Sequence, residues 1–430
     1  MRRMRLIYSA LLFLLAPLVL LRLAWRARRQ SEYLRNIGER FGRYAGTVEN
    51  PVLWVHAVSV GEMRAAEPLV RALQSAYPSQ RVLLTHMTPT GRRTGEQLFG
   101  DAVLRCYLPY DLPFAVARFL RHYRPRVGVL METELWPNLI HASHGAGVPV
   151  LLVNARLSAH SARGYARFGD LTRMTLQGLA AVGAQSEADA ERLRALGAAR
   201  VAVTGNLKFD RGPKPADLEL AARLRDRFGA RPVLVAASTR DGEEERVLDA
   251  VGGMPSALLT VVVPRHPQRF QDVAQILERR GITYQRRSED TAVRPDTRVL
   301  LGDSMGELFA YYAACDIAFV GGSLLPLGGQ NLLEACAVGK PVLIGPHTFN
   351  FAEATQLAVE AGAAVQVADV AQFTARLREL LDDAARRGRM GKAGLLLMRQ
   401  HEGATQRTLE LVRGVLQGER EPTSDRSPTR

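Results

Sequence analysis

The 430-residue chain has only three cysteines, Cys106, Cys315 and Cys336, and none stands in a CxxC spacing. They cannot make a disulfide framework, they offer no zinc-ribbon pattern, and they fit a reducing compartment. Lysine is scarce as well: of 57 basic residues only Lys208, Lys214, Lys340 and Lys392 are lysines, and the rest are arginines. No GxGxxG follows a first strand and no GxxxxGK[ST] loop occurs, so the dinucleotide fingerprint and the phosphate loop are both missing. No acidic or His/Cys cluster has metal-ligand spacing, and Glu187-Ala188-Asp189-Ala190-Glu191 reads as a helix surface, so neither a metal nor a cofactor is expected. What remains is an ordinary globular composition, 47% hydrophobic and 23% charged, with a net charge of +14. At roughly 150 residues per domain the length excludes a single small module and points to two or three domains. The positive field attracts polyanions, whether nucleic acid, phospholipid surface or phosphorylated substrate. Nothing resembles an RNA- or DNA-reading module, so no nucleic-acid partner is expected.

Arg2, Arg3 and Arg5 precede an apolar run from Leu6 to Leu21, broken only by Pro17, and Arg22, Arg26, Arg28 and Arg29 follow it. The run falls short of the ~20 residues that span hydrocarbon, but extension to Trp25 with Arg22 snorkelling reaches that length. No small-x-small cleavage site follows, so residues 1–30 are expected to be an uncleaved membrane anchor, with a buried core helix as the competing reading. The arginines behind the run keep the bulk of the chain on the cytoplasmic side. Spanning the bilayer and lying in its interface both fit this segment.

From about residue 50, short β-branched runs alternate with longer amphipathic stretches. Seven strands are expected at 52–58, 81–86, 103–107, 126–131, 149–153, 181–185 and 201–204. Seven more follow at 233–237, 258–263, 283–285, 298–301, 316–320, 341–344 and 364–367. Buried apolar runs separated by ten-residue helices mean parallel strands with crossovers, so the fold class is α/β, two Rossmann-like domains facing a cleft. The boundaries read as 31–208 and 209–417, with a polar, proline-containing, disordered tail at 418–430.

In such sheets ligands bind beyond the carboxyl ends of the strands, where helices begin. Ser59-Val60-Gly61-Glu62 follows the first strand. There the helix dipole keeps the Glu62 carboxylate ionised, and it serves either as a base toward an attacking hydroxyl or as a plain complement to the dipole. Arg92 and Arg93 either hold phosphate or form a solvated face. Glu132 and Glu134 either hold a metal or sugar hydroxyl, or cap a helix. His56 lies inside an apolar strand as a core histidine. In the second half, Pro264-Arg265-His266-Pro267 aims a guanidinium outward, and Asp303-Ser304-Met305-Gly306-Glu307 opens a helix. Gly321-Gly322-Ser323 and Gly328-Gly329-Gln330-Asn331-Leu332-Leu333-Glu334 form a glycine turn feeding a helix. That turn lets backbone donors approach a phosphate while Glu334 accepts from ribose hydroxyls. A nucleotide on one domain and a carboxylate base on the other suggest group transfer with a nucleoside monophosphate leaving group, neutralised by Arg265 and helix dipoles.

The run Trp54 to Glu62, with Glu132-Thr133-Glu134-Leu135-Trp136-Pro137-Asn138, Thr204-Gly205-Asn206-Leu207-Lys208-Phe209-Asp210, Pro264-Arg265-His266-Pro267 and Gly328 to Glu334, resembles the bacterial 3-deoxy-D-manno-octulosonic acid (Kdo) transferases. The resemblance runs from the N-terminal segment to about residue 410. It implies a GT-B fold, CMP-Kdo as donor, and the lipid A precursor (lipid IVA) as acceptor at the cytoplasmic face of the cell inner membrane, amid its phospholipid. It implies inverting transfer with Glu62 as base. It also implies CMP contacts at Pro264, Arg265, Met305, Gly306, Glu307, Asn331, Leu332, Leu333 and Glu334. Arg92, Arg93 and Glu132 stand as candidate acceptor or phosphate contacts. The competing readings are another membrane-associated GT-B glycosyltransferase with a UDP-sugar donor, a nucleotide-sugar epimerase of similar fold, and a non-catalytic binder drawn to charge.

Overall fold

The computed structural model describes residues 2–28 and 30–418. Of the tail expected at 418–430, all but Gly418 lies outside them. Two compact units divide the chain: one runs to Asp210 and resumes at Glu402, and the other is Arg211–His401.

The strands of the first unit are β1 Leu53–His56, β2 Val82–His86, β3 Val103–Tyr107, β4 Val127–Met131, β5 Val150–Ala155, β6 Ala181–Ala184 and β7 Val201–Val203. They pair in the order β3-β2-β1-β4-β5-β6-β7, every pair parallel. Those of the second are β8 Val233–Thr239, β9 Leu259–Pro264, β10 Tyr284–Arg286, β11 Val299–Leu301, β12 Ile317–Val320, β13 Val342–Ile344 and β14 Ala364–Gln366. Their order is β10-β11-β9-β8-β12-β13-β14, again all parallel. All fourteen expected strands are present, within about two residues at each end, because a parallel strand covered on both faces must be apolar along its whole length. The central strands β1, β2, β4 and β5 are buried at every residue.

Parallel pairing puts every strand's carboxyl end at one edge of its sheet. The order reverses between β1 and β4 in the first unit and between β8 and β12 in the second, and such switch points open a crevice at that edge. Apolar side chains pack on both faces of each sheet. In the first unit one cluster joins Leu53, Val55, Met63 and Leu69. Another, on the other face, joins Trp54, Phe119, Leu130 and Leu152.

One assignment from the sequence does not match the contacts. The stretch 402–417 was expected in the second domain, but the helix Ala404–Gln417 packs Ala404, Leu409, Leu411 and Val412 into the first unit's core. An amphipathic stripe announces burial without saying against which sheet. Asp210 fixes its start: the Gly403 N–H donates to Oδ1 at 2.7 Å and the Thr405 N–H donates to Oδ2. Asp210→Ala leaves these helix-start donors unmet, and should lower the unfolding free energy in urea titration by about 1–2 kcal/mol. Faster amide exchange should then be concentrated in residues 404–417.

Candidate active site

At the carboxyl edge of the first sheet, β1 runs into Ser59, the N-cap of the helix Val60–Ala76. The Glu62 N–H donates to Ser59 Oγ at 3.3 Å, and Ser59 Oγ donates to Glu62 Oε1 at 2.8 Å. Val58 N–H donates to Oε2 at 2.8 Å. The Ser59 side chain caps the helix, and these contacts hold both oxygens of Glu62 in one orientation. Gly91, at the start of the next helix, comes so close that a Cβ there would lie 2.8 Å from the Val58 carbonyl oxygen, so only glycine fits beneath this turn.

Glu132, the residue after β4, lies across the switch point in a left-handed conformation with φ 57°. It pairs with Lys208 Nζ at 3.3 Å, and Glu134 accepts from the Trp136 indole N–H at 2.8 Å. Three carboxyl groups therefore converge. Burial pushes Glu62 up to about 7, with Glu132 and then Glu134 adding repulsion, while the Val58 N–H and the Ser59 hydroxyl pull the other way. Glu134 is raised for the same first reason, burial, and further by Glu132. The expectation that the helix dipole keeps Glu62 simply ionised is thus corrected: desolvation and neighbouring negative charge outweigh it. Such a group is half ionised near neutrality, where a general base is most effective.

His56 is fully buried, with Nδ1 2.9 Å from Thr85 Oγ1, and burial lowers it to about 3, so it is a neutral core residue as expected. Arg92 pairs with Glu39 at 2.6 Å and lies over the Tyr107 ring, and Arg93 pairs with Glu32. Both guanidiniums thus hold carboxylates of the segment before β1.

Asn206-Leu207-Lys208 forms the floor beside Glu132. The Leu207 N–H donates to Asn154 Oδ1 at 3.0 Å, and Asn206 Nδ2 donates to Gln185 Oε1 at 3.0 Å. Neither Asn154 nor Gln185 stood out in the sequence, since each ends an apolar strand as a lone amide.

In the second unit the residues expected to hold the donor all lie at the carboxyl edge of the sheet. Pro264 ends β9, and the Arg265 N–H donates to the Thr239 carbonyl at 2.9 Å, beside the switch point. After β11, the Ser304 hydroxyl donates to Glu307 Oε2 at 2.6 Å and Arg287 donates to Oε1 at 3.2 Å, with Met305 exposed between them. Glu334 is almost fully buried in the first turn of the short helix Leu333–Ala337. Its Oε1 accepts from Arg211 at 2.6 Å and from Asn331 Nδ2 at 3.4 Å. The carboxylate expected to meet a ribose is therefore already held by the first residue of the unit.

The glycine turn after β12 differs from expectation in its occupant. Its backbone donors were expected to meet a phosphate, but the N–H groups of Ser323 and Leu324 donate to Glu243 Oε1 at 2.8 and 2.9 Å, and Gly322 donates to Oε2. The Arg240 N–H donates to Oε2 as well, at 3.0 Å. Glu243 is wholly buried, and it fills the anion-binding concavity from inside the protein. The signal for it was Gly242 followed by three glutamates, which reads equally as a charged helix start. Gly321 is required here, since a Cβ would lie 2.7 Å from Thr239 Cα.

Among the described residues no group of three or more His, Cys, Asp or Glu side chains could hold a metal ion. Residues 35–211 match the family profile described as 3-deoxy-D-manno-octulosonic-acid transferase (kdotransferase), and residues 282–396 match glycosyl transferases group 1. The 3-deoxy-D-manno-octulosonic acid transferase of Bordetella pertussis is 45% identical over 94% of this chain and 98% of its own length. The Haemophilus influenzae enzyme of the same description is 38% identical over 96% and 99%. The chain belongs to the Kdo transferase family. It is a glycosyltransferase. A glycosyltransferase of Rickettsia africae, 13% identical, superposes over 86% of this transferase and 100% of its own chain with a TM-score of 0.57, a likeness of fold alone. With the group 1 match, the two parallel-sheet units make the fold GT-B.

Two stability changes follow from the carboxylates. Glu243→Gln replaces an acceptor oxygen with a donor facing N–H groups, and should lower the transferase's unfolding free energy by about 3 kcal/mol in denaturant titration. Glu62 works in the opposite sense. Its folded-state value lies above the unfolded one, so ionising it costs stability, and that cost grows as pH rises from its unfolded range through about 7. Gln can keep both the Val58 and Ser59 contacts, so the melting temperature of Glu62→Gln relative to the parent should climb from about pH 5 to about pH 8.

Proposed function

We propose that this Kdo transferase, an enzyme of lipopolysaccharide biosynthesis, takes Kdo from CMP-Kdo and adds it to a glucosamine hydroxyl of the lipid A precursor at the cytoplasmic face of the inner membrane. The observation that carries the mechanism is Glu62: a carboxyl held by two donors at the switch point, with its pKa near 7. Its carboxylate accepts the proton of the acceptor hydroxyl. The hydroxyl oxygen bonds to the anomeric carbon of Kdo, the bond from that carbon to the phosphate oxygen breaks, and CMP departs with the electron pair. Attack opposite the leaving group inverts the anomeric centre. Nothing in this scheme needs a metal, because a monophosphate leaving group carries less charge than a diphosphate and Arg265 and backbone donors can balance it.

The first unit supplies the base and the second holds the donor. Pro264 and Arg265, Met305 to Glu307, and Asn331 to Glu334 sit at the ends of β9, β11 and β12, which supports their role as the CMP site. Glu334 binds Arg211 and Asn331 through Oε1, so a ribose hydroxyl would be received at its other oxygen. Lys208 pairs with Glu132 at the carboxyl edge of the first sheet, and Arg92 and Arg93 lie on the helix after β2 at the same edge; the acceptor's phosphates are assigned to this region. The apolar helix Arg2–Ala27 is long and apolar enough to cross a membrane, and the proposed anchoring at the bilayer rests on it.

Purified transferase incubated with CMP-Kdo and tetraacylated precursor should yield a product heavier by whole Kdo units in mass spectrometry. Glu62→Gln should lower turnover at least about 100-fold while CMP still raises the melting temperature; undiminished turnover would remove Glu62 from the base role. For the parent enzyme, kcat/KM should rise with pH and level off above about 7, the direction set by a base that acts when deprotonated. Stronger thermal protection by UDP than by CMP would overturn the donor assignment.

A further inference from the structure

The helix Arg2–Ala27 does not stand away from the protein. Arg5, Tyr8, Ser9, Leu12, Ala16 and Leu23 are partly or fully covered, at helical spacing, while the residues between them are open. That stripe runs about 27 Å along the helix at 1.5 Å per residue, so one side is docked over most of the length. Within it the Tyr8 hydroxyl donates to Asp111 Oδ2 at 3.0 Å, and the Ser9 hydroxyl donates to Asn138 Oδ1 at 3.1 Å. Asp111 is almost fully buried and also receives the N–H groups of Asn138 and Leu139 at 2.9 and 2.7 Å. The helix is therefore pinned to the first turn of the helix Pro137–Gly145, directly by the buried Ser9–Asn138 contact and through Asp111 by Tyr8.

The outward sides are apolar. Leu6 is 63% exposed, Leu14 78% and Leu21 67%. The apolar face continues onto the globular unit, where Phe114 stacks on Phe13 with ring centroids 6.1 Å apart, and Arg118 lies over the Phe114 ring at 5.3 Å. Exposed Arg3 lies at one end of the helix and exposed Arg22, Arg26 and Arg28 at the other, with no acidic residue in the helix. We infer that this helix lies in the plane of one leaflet rather than across the bilayer, with Phe114 entering beside it and the arginines meeting anionic headgroups.

A spanning orientation conflicts with the docked stripe. It would carry Asp111, Asn138 and the arginine-bearing helix Pro113–Tyr123 down to the depth of the hydrocarbon, where unpaired polar groups are not tolerated. In the interfacial orientation the exposed leucines reach only about 5–10 Å below the headgroups, while the covered stripe and its hydrogen bonds stay with the protein. The occupant of this face is thus an anionic phospholipid surface. The inference rests on the reading of the helix as a membrane anchor, and it deepens that reading by fixing the orientation.

The three native cysteines are buried, so a fluorophore can be placed by Leu6→Cys, Leu14→Cys or Leu21→Cys in the full chain. The labelled proteins are bound to vesicles of phosphatidylethanolamine and phosphatidylglycerol, and quenched by lipids carrying nitroxides at graded depths. An in-plane helix gives the same shallow depth at all three positions. A label at residue 14 near the midplane, with those at 6 and 21 shallow, would overturn the orientation. Phe114→Glu should weaken vesicle binding about tenfold and leave turnover in detergent unchanged, because Phe114 belongs to neither the proposed base nor the proposed donor site. Equal binding to phosphatidylcholine vesicles, or no binding to any vesicle, would sink the inference. Turnover in detergent is read separately, so loss of Kdo transfer there would count against the proposed reaction and not against the orientation.

Discussion

The architecture depends on carboxylates that accept backbone N–H groups where parallel strands end. An all-parallel sheet gathers its strand ends and its helix starts at one edge, so that edge has more N–H donors than carbonyl acceptors. Glu62 takes Val58, Asp111 takes Asn138 and Leu139, Asp189 takes Leu157, Asp210 takes Gly403 and Thr405, and Glu243 takes four donors around the glycine turn. Apart from Glu62, each ties a loop to a distant stretch of chain, and buried donors left unmet there would each cost about 1–3 kcal/mol.

Glu62 differs from the others in one respect. Asp189 and Glu243 serve loops only, whereas Glu62 is held by two donors and yet pressed by two further carboxyl groups, Glu132 and Glu134. Held without opposition, a carboxylate accepting two hydrogen bonds would be a weak base. Burial and like charge restore the basicity that these hydrogen bonds remove, and the bonds to Val58 and Ser59 keep the orientation. The same side chain can therefore be part of the scaffold and a proton acceptor because its neighbours separate the two demands.

The strands were legible in the sequence because burial on both faces leaves a continuous apolar run, and Val127–Met131 or Val233–Thr239 can hardly be read otherwise. Glu62 was legible as a position, since Ser59 three residues before it is a capping signature, but its protonation behaviour was not. That depends first on burial and then on Glu132 and Glu134, seventy residues away in the chain and adjacent only after β1 and β4 pair. Glu243 escaped for a related reason. The glycine turn was read as a phosphate site, and nothing local says that its donors at 322–324 meet a carboxylate of the protein itself, 79 residues earlier. The return of Ala404–Gln417 to the first unit was hidden because its apolar stripe fits either sheet.

Backbone strain marks the same edges independently of charge. Among the described residues, Glu132, Asn154 and Ser238 are non-glycine residues with φ of 57°, 52° and 56° at the carboxyl ends of β4, β5 and β8. Such a conformation costs about 1–3 kcal/mol and persists only where the surroundings enforce it. For Asn154 and Ser238 the consequence is visible in the ladders: the β5–β6 register shifts between Leu152 and Ala155, and the β8–β9 register shifts between Ala237 and Thr239. Pairing resumes past each shift, Ala155 opposite Ala184 and Thr239 opposite Pro264, while Asn154 holds the Leu207 N–H and the Thr239 carbonyl holds that of Arg265. The two units, built from unrelated local sequences, have thus reached the same device at corresponding edges. A strained residue stands beside each switch point, Glu132 after β4 and Ser238 in β8, where the chain leaves the sheet for the loops that carry the chemistry.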